Sequence, residues 1–378
     1  MKFFVSLAVL ALCVSAFASP GEIEKADQEI MNSIFAPDLE KADSLIEAGL
    51  EKYPSHPKYH FMKSKYHFYW RYFSGVQASR DSMLNLIKQS ALKAIETGEN
   101  MEQTTEVKFY IGSAYGFLSR VYVMQREYWD AYWAADDCEE YLEEVLEEDP
   151  NYYDAYLHLG IIEYFPTVVN LAWYVETLVF LGGASGNREK GLEYFAKTYK
   201  NGKLFKNEAH FILGTTNRFQ ENDLKKAHFY FSTLAEKFPN NNFVRTQHNT
   251  TKFAKLIEDK GVDFLTAELD QLKEKYSITN SGVLNNIGYY YMGQNNRNLD
   301  YALAIFQTNI KLFPEEANPH DSLGECYINR GDNANAIKYY KMAYDKLDTD
   351  PVINDAFRER LKTGIKATLE DLGADVSS

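Results

Sequence analysis

Apolar and aromatic side chains recur three or four positions apart along most of this chain, the spacing that puts them on one face of a helix. Tyr59 to Phe73, Ser79 to Thr97, Gly112 to Met124, Tyr128 to Glu148, Asn242 to Asp259, Val262 to Tyr276 and Ile353 to Leu372 each read as one such helix. No stretch keeps up the two-residue alternation of a strand. The pattern predicts an all-α chain, with many short helices joined by tight turns rather than a few long ones.

The helices also repeat. Ala302 and Ala336 lie 34 residues apart, and so do Phe306 and Tyr340. Around the second pair stand His320, Leu323-Gly324, Tyr327, the turn Gly331-Asp332 and Ala343. Around the first stand Leu284, Ile287-Gly288, Tyr291 and Pro314. A third copy reads His210, Leu213-Gly214, Ala227, Phe231, Pro239, and a fourth Tyr156, Leu159-Gly160, Gly191, Phe195. Ala42, Ile46 and Pro54 fit another second helix, Pro54 following Ala42 by the 12 residues that also separate Ala227 from Pro239 and Ala302 from Pro314. Small residues at fixed points let two helices approach while large ones fill the space beside the contact, and this pattern resembles the tetratricopeptide repeat. It implies a right-handed α-solenoid over residues 19–372, of roughly seven helix pairs. A polar-faced capping helix and a disordered tail at 373–378 would close it.

One copy departs from the rule. The interval from Gly160 to Gly191 is 31 residues where 12 are expected, so residues 165–183 are an insertion. It is apolar, carries Trp173, Tyr174 and Phe180, and is opened by Pro166 and interrupted by Asn170 and Glu176, a poor composition for a membrane span. A one-sided helix fits, either filling the concave face of the solenoid or presenting an apolar surface to a membrane, a lipid or a partner helix.

Leu159-Gly160, this Pro-containing apolar stretch and the string Gly186-Asn187-Arg188-Glu189-Lys190-Gly191-Leu192 together resemble the family of tetratricopeptide repeat protein 39 and the inclusion-body clearance protein, with its exported bacterial relatives. The resemblance covers about Glu106 to Pro239. It implies a repeat fold without catalytic residues, and no cofactor. Physically, Gly186 and Asn187 suit the turn and N-cap of a helix starting at Arg188, with Glu189 well placed in its first turn.

The ends and the composition add a setting. Lys2, the apolar run Phe3 to Ala18 and Ala16-Phe17-Ala18 before Ser19 read as a secretory leader, residues 1–18, cleaved after Ala18. The expected location is periplasmic or secreted. Leu12 is the wrong kind of residue before an acylated Cys13, so a lipoprotein is not expected. Cys138 and Cys326, far apart, make neither a disulfide framework nor a metal site and read as buried apolar side chains. A net charge of −14 opposes binding to phosphate backbones, so nucleic acid is not an expected partner.

Candidate chemistry is sparse. His56 and His60 share a helix face but have Pro57 between them and no zincin glutamate, so no metal is expected. Asp136-Asp137, Glu139-Glu140 and Glu143 to Asp149 flank the apolar stripe Tyr141, Leu142, Val145, Leu146 and read as a solvated face rather than paired catalytic carboxylates. Asp154 and Glu163 are the carboxylates a hydrolase would need. Since no nucleophile elbow, phosphate loop or dinucleotide fingerprint occurs, the chain reads as a binding scaffold and not as an enzyme.

The ligand surface expected from the repeat register is the concave wall of the first helices, with Tyr164, Phe165, Phe211, Arg218, Asn285, Tyr289, Asp321, Glu325 and Asn329 as partner-binding candidates. Arg218 is the single basic residue among them. An aromatic and acidic groove suits an apolar or basic protein segment. Binding of a lipid or a membrane surface through Trp173, Tyr174 and Phe180 is the alternative.

Overall fold

The computed structural model describes residues 20–74, 80–168, 186–276, 278, 280–293 and 297–375. The expected leader, most of the apolar insertion with Trp173, Tyr174 and Phe180, and the last residues of the tail lie outside the described residues.

Among the described residues all regular structure is helical. Helices α1 (Pro20–Phe35), α2 (Leu39–Lys52), α3 (Pro57–Phe73), α4 (Arg80–Glu99), α5 (Thr105–Gln125) and α6 (Tyr128–Glu148) form three successive pairs. Helix α7 (Tyr156–Tyr164) pairs with α8 (Arg188–Asn201), and α9 (Lys206–Phe219) with α10 (Leu224–Lys237). Then come α11 (Asn242–Lys260), the short α12 (Asp263–Ala267) and α13 (Leu272–Lys275), α14 (Ser281–Met292) with α15 (Leu299–Leu312), α16 (Ala317–Asn329) with α17 (Asn333–Lys346), and the closing α18 (Asp355–Asp371). Each helix packs chiefly on its sequence neighbours, and next-but-one contacts run along first helices, α1 to α3, α3 to α5 and α14 to α16. First helices therefore form the inner wall of an α-solenoid of tetratricopeptide type.

Five of the second helices start by a common rule. Asp38, Asn187, Asp223, Asn298 and Asp332 each cap α2, α8, α10, α15 and α17 by accepting from the backbone N–H three residues on. Four residues after the cap stands Ala42, Gly191, Ala227, Ala302 or Ala336, and eight after it Ile46, Phe195, Phe231, Phe306 or Tyr340, all buried. The large side chain fills the room left by a first-helix glycine: a Cβ on Gly288 would lie 2.4 Å from the Phe306 ring, and one on Gly160 2.8 Å from Phe195. The Leu-Gly signature is thus a steric lock between the two helices of a pair.

Val262 to Tyr276, expected as one helix, is broken into α12, a 3-10 turn at Leu269–Gln271, and α13. This stretch has no Leu-Gly partner to dock on; Leu265 and Leu272 anchor it separately, and the Glu268 carboxylate accepts from Tyr276 Oη at 2.6 Å across the break.

The inner wall is not uniform. Between α1 and α11 the solenoid closes on itself. Asn241 donates to the Phe35 carbonyl at 2.9 Å, the Phe35 ring lies 5.6 Å from Phe238, and Phe73 lies 5.9 Å from Phe243. Within this turn Phe61, Phe117, His158 and Phe205 from α3, α5, α7 and the start of α9 pack ring against ring at 5.6–6.4 Å. The buried Lys65 ammonium is paired with the Glu208 carboxylate, which also faces Arg120 at 3.5 Å. Lys58 does the same near the start, holding Asp27 at 3.0 Å and Glu106 at 2.7 Å. Burial pushes the Asp27 carboxyl up to about 6 despite that ammonium.

Candidate interaction surface

The residues expected on the concave wall lie in two separate places along the solenoid. Tyr164 is buried, its ring 5.8 Å from Phe195, its hydroxyl donating to Glu221 at 2.5 Å. Phe165 stacks edge-on against it at 5.5 Å, and Phe211 lies between Phe231 at 5.9 Å and Phe243 at 5.8 Å. Arg218 is 1% exposed. One of its terminal nitrogens donates to Gln247 at 3.2 Å, the other nitrogens have no hydrogen-bond partner, and burial pulls the group down to about 10. Tyr164 and Arg218 are buried, whereas Phe165 and Phe211 are half-buried and pack against the core beneath them. Asp154 and Glu163 are also engaged: Asp154 accepts from the backbone N–H groups of Lys203, Leu204 and Phe205, and Glu163 pairs with Lys190 at 2.5 Å.

The string from Gly186 to Leu192 does what its residue types suggest. Gly186 turns at φ +63° beneath the Glu163 carbonyl, and the Asn187 side chain caps α8 by accepting from Lys190 N–H at 3.0 Å. Arg188 reaches Glu221 at 2.9 Å and so ties this turn to the next repeat.

The second group comes together on α14 and α16. Tyr289, Asp321, Glu325 and Asn329 share one inner surface. The Tyr289 hydroxyl donates to Glu325 at 2.7 Å and lies 3.3 Å from Ser322 Oγ, while its ring rests edge-on against Phe306 at 5.5 Å. Asn329 donates to the Glu325 carbonyl at 3.1 Å and is met by Arg297 at 3.3 Å. Asp321, one turn before Glu325, is pushed up to about 7, first by burial and then by the Glu325 charge. Among the described residues neither carboxylate has a cationic partner. Asn285, on α14, carries a buried side-chain oxygen without a hydrogen-bond partner.

Ser322 and Arg297 were not legible as members of this surface. Ser322 sits directly before Leu323-Gly324 and reads as interior filling. Arg297 lies in the two-residue enlargement of the α14–α15 turn, which only the fold brings to Asn329.

The arrangement defines a class: a helical-repeat solenoid with one closed, self-filled turn and an open acidic–aromatic inner wall in its last repeats. Comparison with known proteins adds likeness at low identity. No protein-family model matches the chain, and no curated protein matches it. Among solved structures, a human IFIT1 dimer with m7Gppp-AAAA is 14% identical, covering 82% of this chain and 67% of that one, with a TM-score of 0.35. The P58(IPK) TPR domain is 13% identical over 93% and 99% of the two chains at 0.24. Yeast Tom70 is 14% identical over 90% and 86% at 0.24. At these scores the ground for the fold is the chain's own succession of helix pairs.

Proposed function

We propose that this chain is an exported tetratricopeptide scaffold whose last repeats hold a protein segment carrying a basic side chain beside an aromatic or apolar one. The observation that carries the reading is Asp321 and Glu325, one turn apart on the open inner wall beside Tyr289, with no cation from among the described residues to pair them. Keeping a carboxyl in such surroundings is costly, and a partner ammonium or guanidinium offsets the cost while the Tyr289 face takes its apolar stem. The acidic wall disfavours a phosphate backbone. Export rests on the Phe3 to Ala18 run, and kinship with the tetratricopeptide repeat protein 39 and inclusion-body clearance family rests on the Gly186 to Leu192 string; both belong to this proposal.

A photo-crosslinking residue at Asn286, on the exposed side of α14 next to this wall, tests it in the producing cells. One defined protein should be captured, and capture should fall on raising salt and be lost in Asp321→Asn/Glu325→Gln. Capture that is absent, or indifferent to both changes, removes the reading. The mass of the mature chain tests export independently: it should begin at Ser19.

A further inference from the structure

The chain is acidic as a whole, but α10 and α11 are not. Residues 224–260 hold seven Lys and Arg against three Asp and Glu, while the full chain carries −14. In this basic stretch the two helices and α13 enclose an open cavity of about 500 Å³, lined by His228, Asn249, Lys252, Phe253, Lys255, Leu256, Asp259, Lys275 and Tyr276. That size is within the range of small-molecule sites.

The lining has two halves. Phe253 is buried and its ring lies 5.3 Å from that of Tyr276, which with Leu256 gives an apolar side. The other side is polar and cationic. Lys255 is paired with Asp259 at 2.6 Å and Lys275 with Glu268 at 2.7 Å, but Lys252 has no acidic partner among the described residues. His228 and His248 stand with ring centres 5.2 Å apart, and the buried Nδ1 of His248 lacks a hydrogen-bond partner. Both imidazoles are held below the ordinary histidine value: His228 by burial and then Lys252 and Lys255, His248 by burial and then His228 and Lys252, with Glu236 opposing.

We infer that this cavity binds a small organic carboxylate with an apolar body. The anionic end lies between Lys252, His228 and the Asn249 amide, and the body lies against Phe253, Leu256 and Tyr276. The apolar side adds affinity through buried area, and the unpaired ammonium supplies a charge-assisted hydrogen bond. This site is separate from the Tyr289–Glu325 wall and stands whether or not that wall binds a protein.

Octanoate, octanol and acetate separate the two contributions, followed by calorimetry and by the ring-proton NMR signals of His228 and His248. Octanoate should bind and shift both imidazoles. Octanol, lacking the charge, and acetate, lacking the body, should each bind about tenfold more weakly or worse. Lys252→Gln should weaken octanoate by about tenfold while Lys366→Gln, with the same change of net charge on α18, leaves it unchanged. Lys252 is exposed, so its replacement leaves the fold intact. The inference is overturned if octanoate leaves the two histidines unmoved, if octanol or acetate binds as well as octanoate, or if the two lysine variants behave alike.

Discussion

Replacing Asp321 by asparagine should make the protein more stable at pH 8 and flatten its pH dependence. Asp321 sits on α16 facing Glu325, with Tyr289 and Tyr340 beside the pair, and its carboxyl is raised from 3.8 to about 7 by burial and by the Glu325 charge. A carboxyl raised in the folded state keeps its proton there while the unfolded chain has lost it. Its contribution to stability is therefore greatest below about pH 4 and is lost as pH rises through 7. With 1.36 kcal/mol per pH unit, the loss between pH 5 and 8 is about 2.5 kcal/mol. The asparagine side chain would keep the shape and nearly all the packing without the charge. Urea unfolding followed by circular dichroism, at pH 5 and pH 8, should show wild type losing that amount relative to Asp321→Asn. Asp27, raised to about 6 in both proteins, adds a pH dependence of its own that cancels in the difference. Parallel pH profiles, or a variant less stable than wild type at pH 8, would refute the reasoning. The same carboxyl gives the proposed binding a signature: a partner cation lowers its pKa, so binding near pH 7 releases a proton and the calorimetric enthalpy changes with the buffer.

Two glycines in helices should respond oppositely to alanine. Gly288→Ala drives a Cβ to 2.4 Å from the Phe306 ring and should cost about 2 kcal/mol, whereas Gly364→Ala on α18 meets nothing within 4 Å and should gain about 0.5–1 kcal/mol; urea midpoints decide. Lys65→Met should destabilise by about 3–5 kcal/mol by leaving Glu208 buried without its ammonium, and Lys65→Met/Glu208→Leu should recover most of that loss. A double variant as unstable as Lys65→Met would show that the cost lies in packing against Phe205, not in the stranded charge.

The local logic of the repeats was open to reading because it is carried by residues near one another in sequence. In the α7–α8, α9–α10, α14–α15 and α16–α17 pairs, a small residue four positions after an Asx cap, an aromatic eight after it and Leu-Gly or Ile-Gly in the helix before make the pair nearly self-specifying, so the all-α repeat architecture followed from Ala302, Phe306, Ala336 and Tyr340. The role of Gly186 and Asn187 as turn and cap was legible for the same reason, and so was the burial of Cys138 and Cys326, both unpaired. The register also placed Tyr289, Asp321, Glu325 and Asn329 on one wall.

What it could not give is whether a wall is open. That depends on superhelical closure, which adds up small rotations over many repeats and is decided by contacts such as Asn241 to Phe35, 206 residues apart, and Lys65 to Glu208, 143 apart. In the fold Tyr164 and Arg218 are buried, while Phe165, Phe211 and the α14–α16 residues Asp321, Glu325 and Asn329 stay half-buried. The cationic cavity between α10, α11 and α13 has the same origin, since Lys275 and Tyr276 reach it only because the stretch after α11 breaks into short turns. Sequence determined the repeating pair, whose energy is local; tertiary structure decided which repeats face each other, because that depends on the sum over all of them.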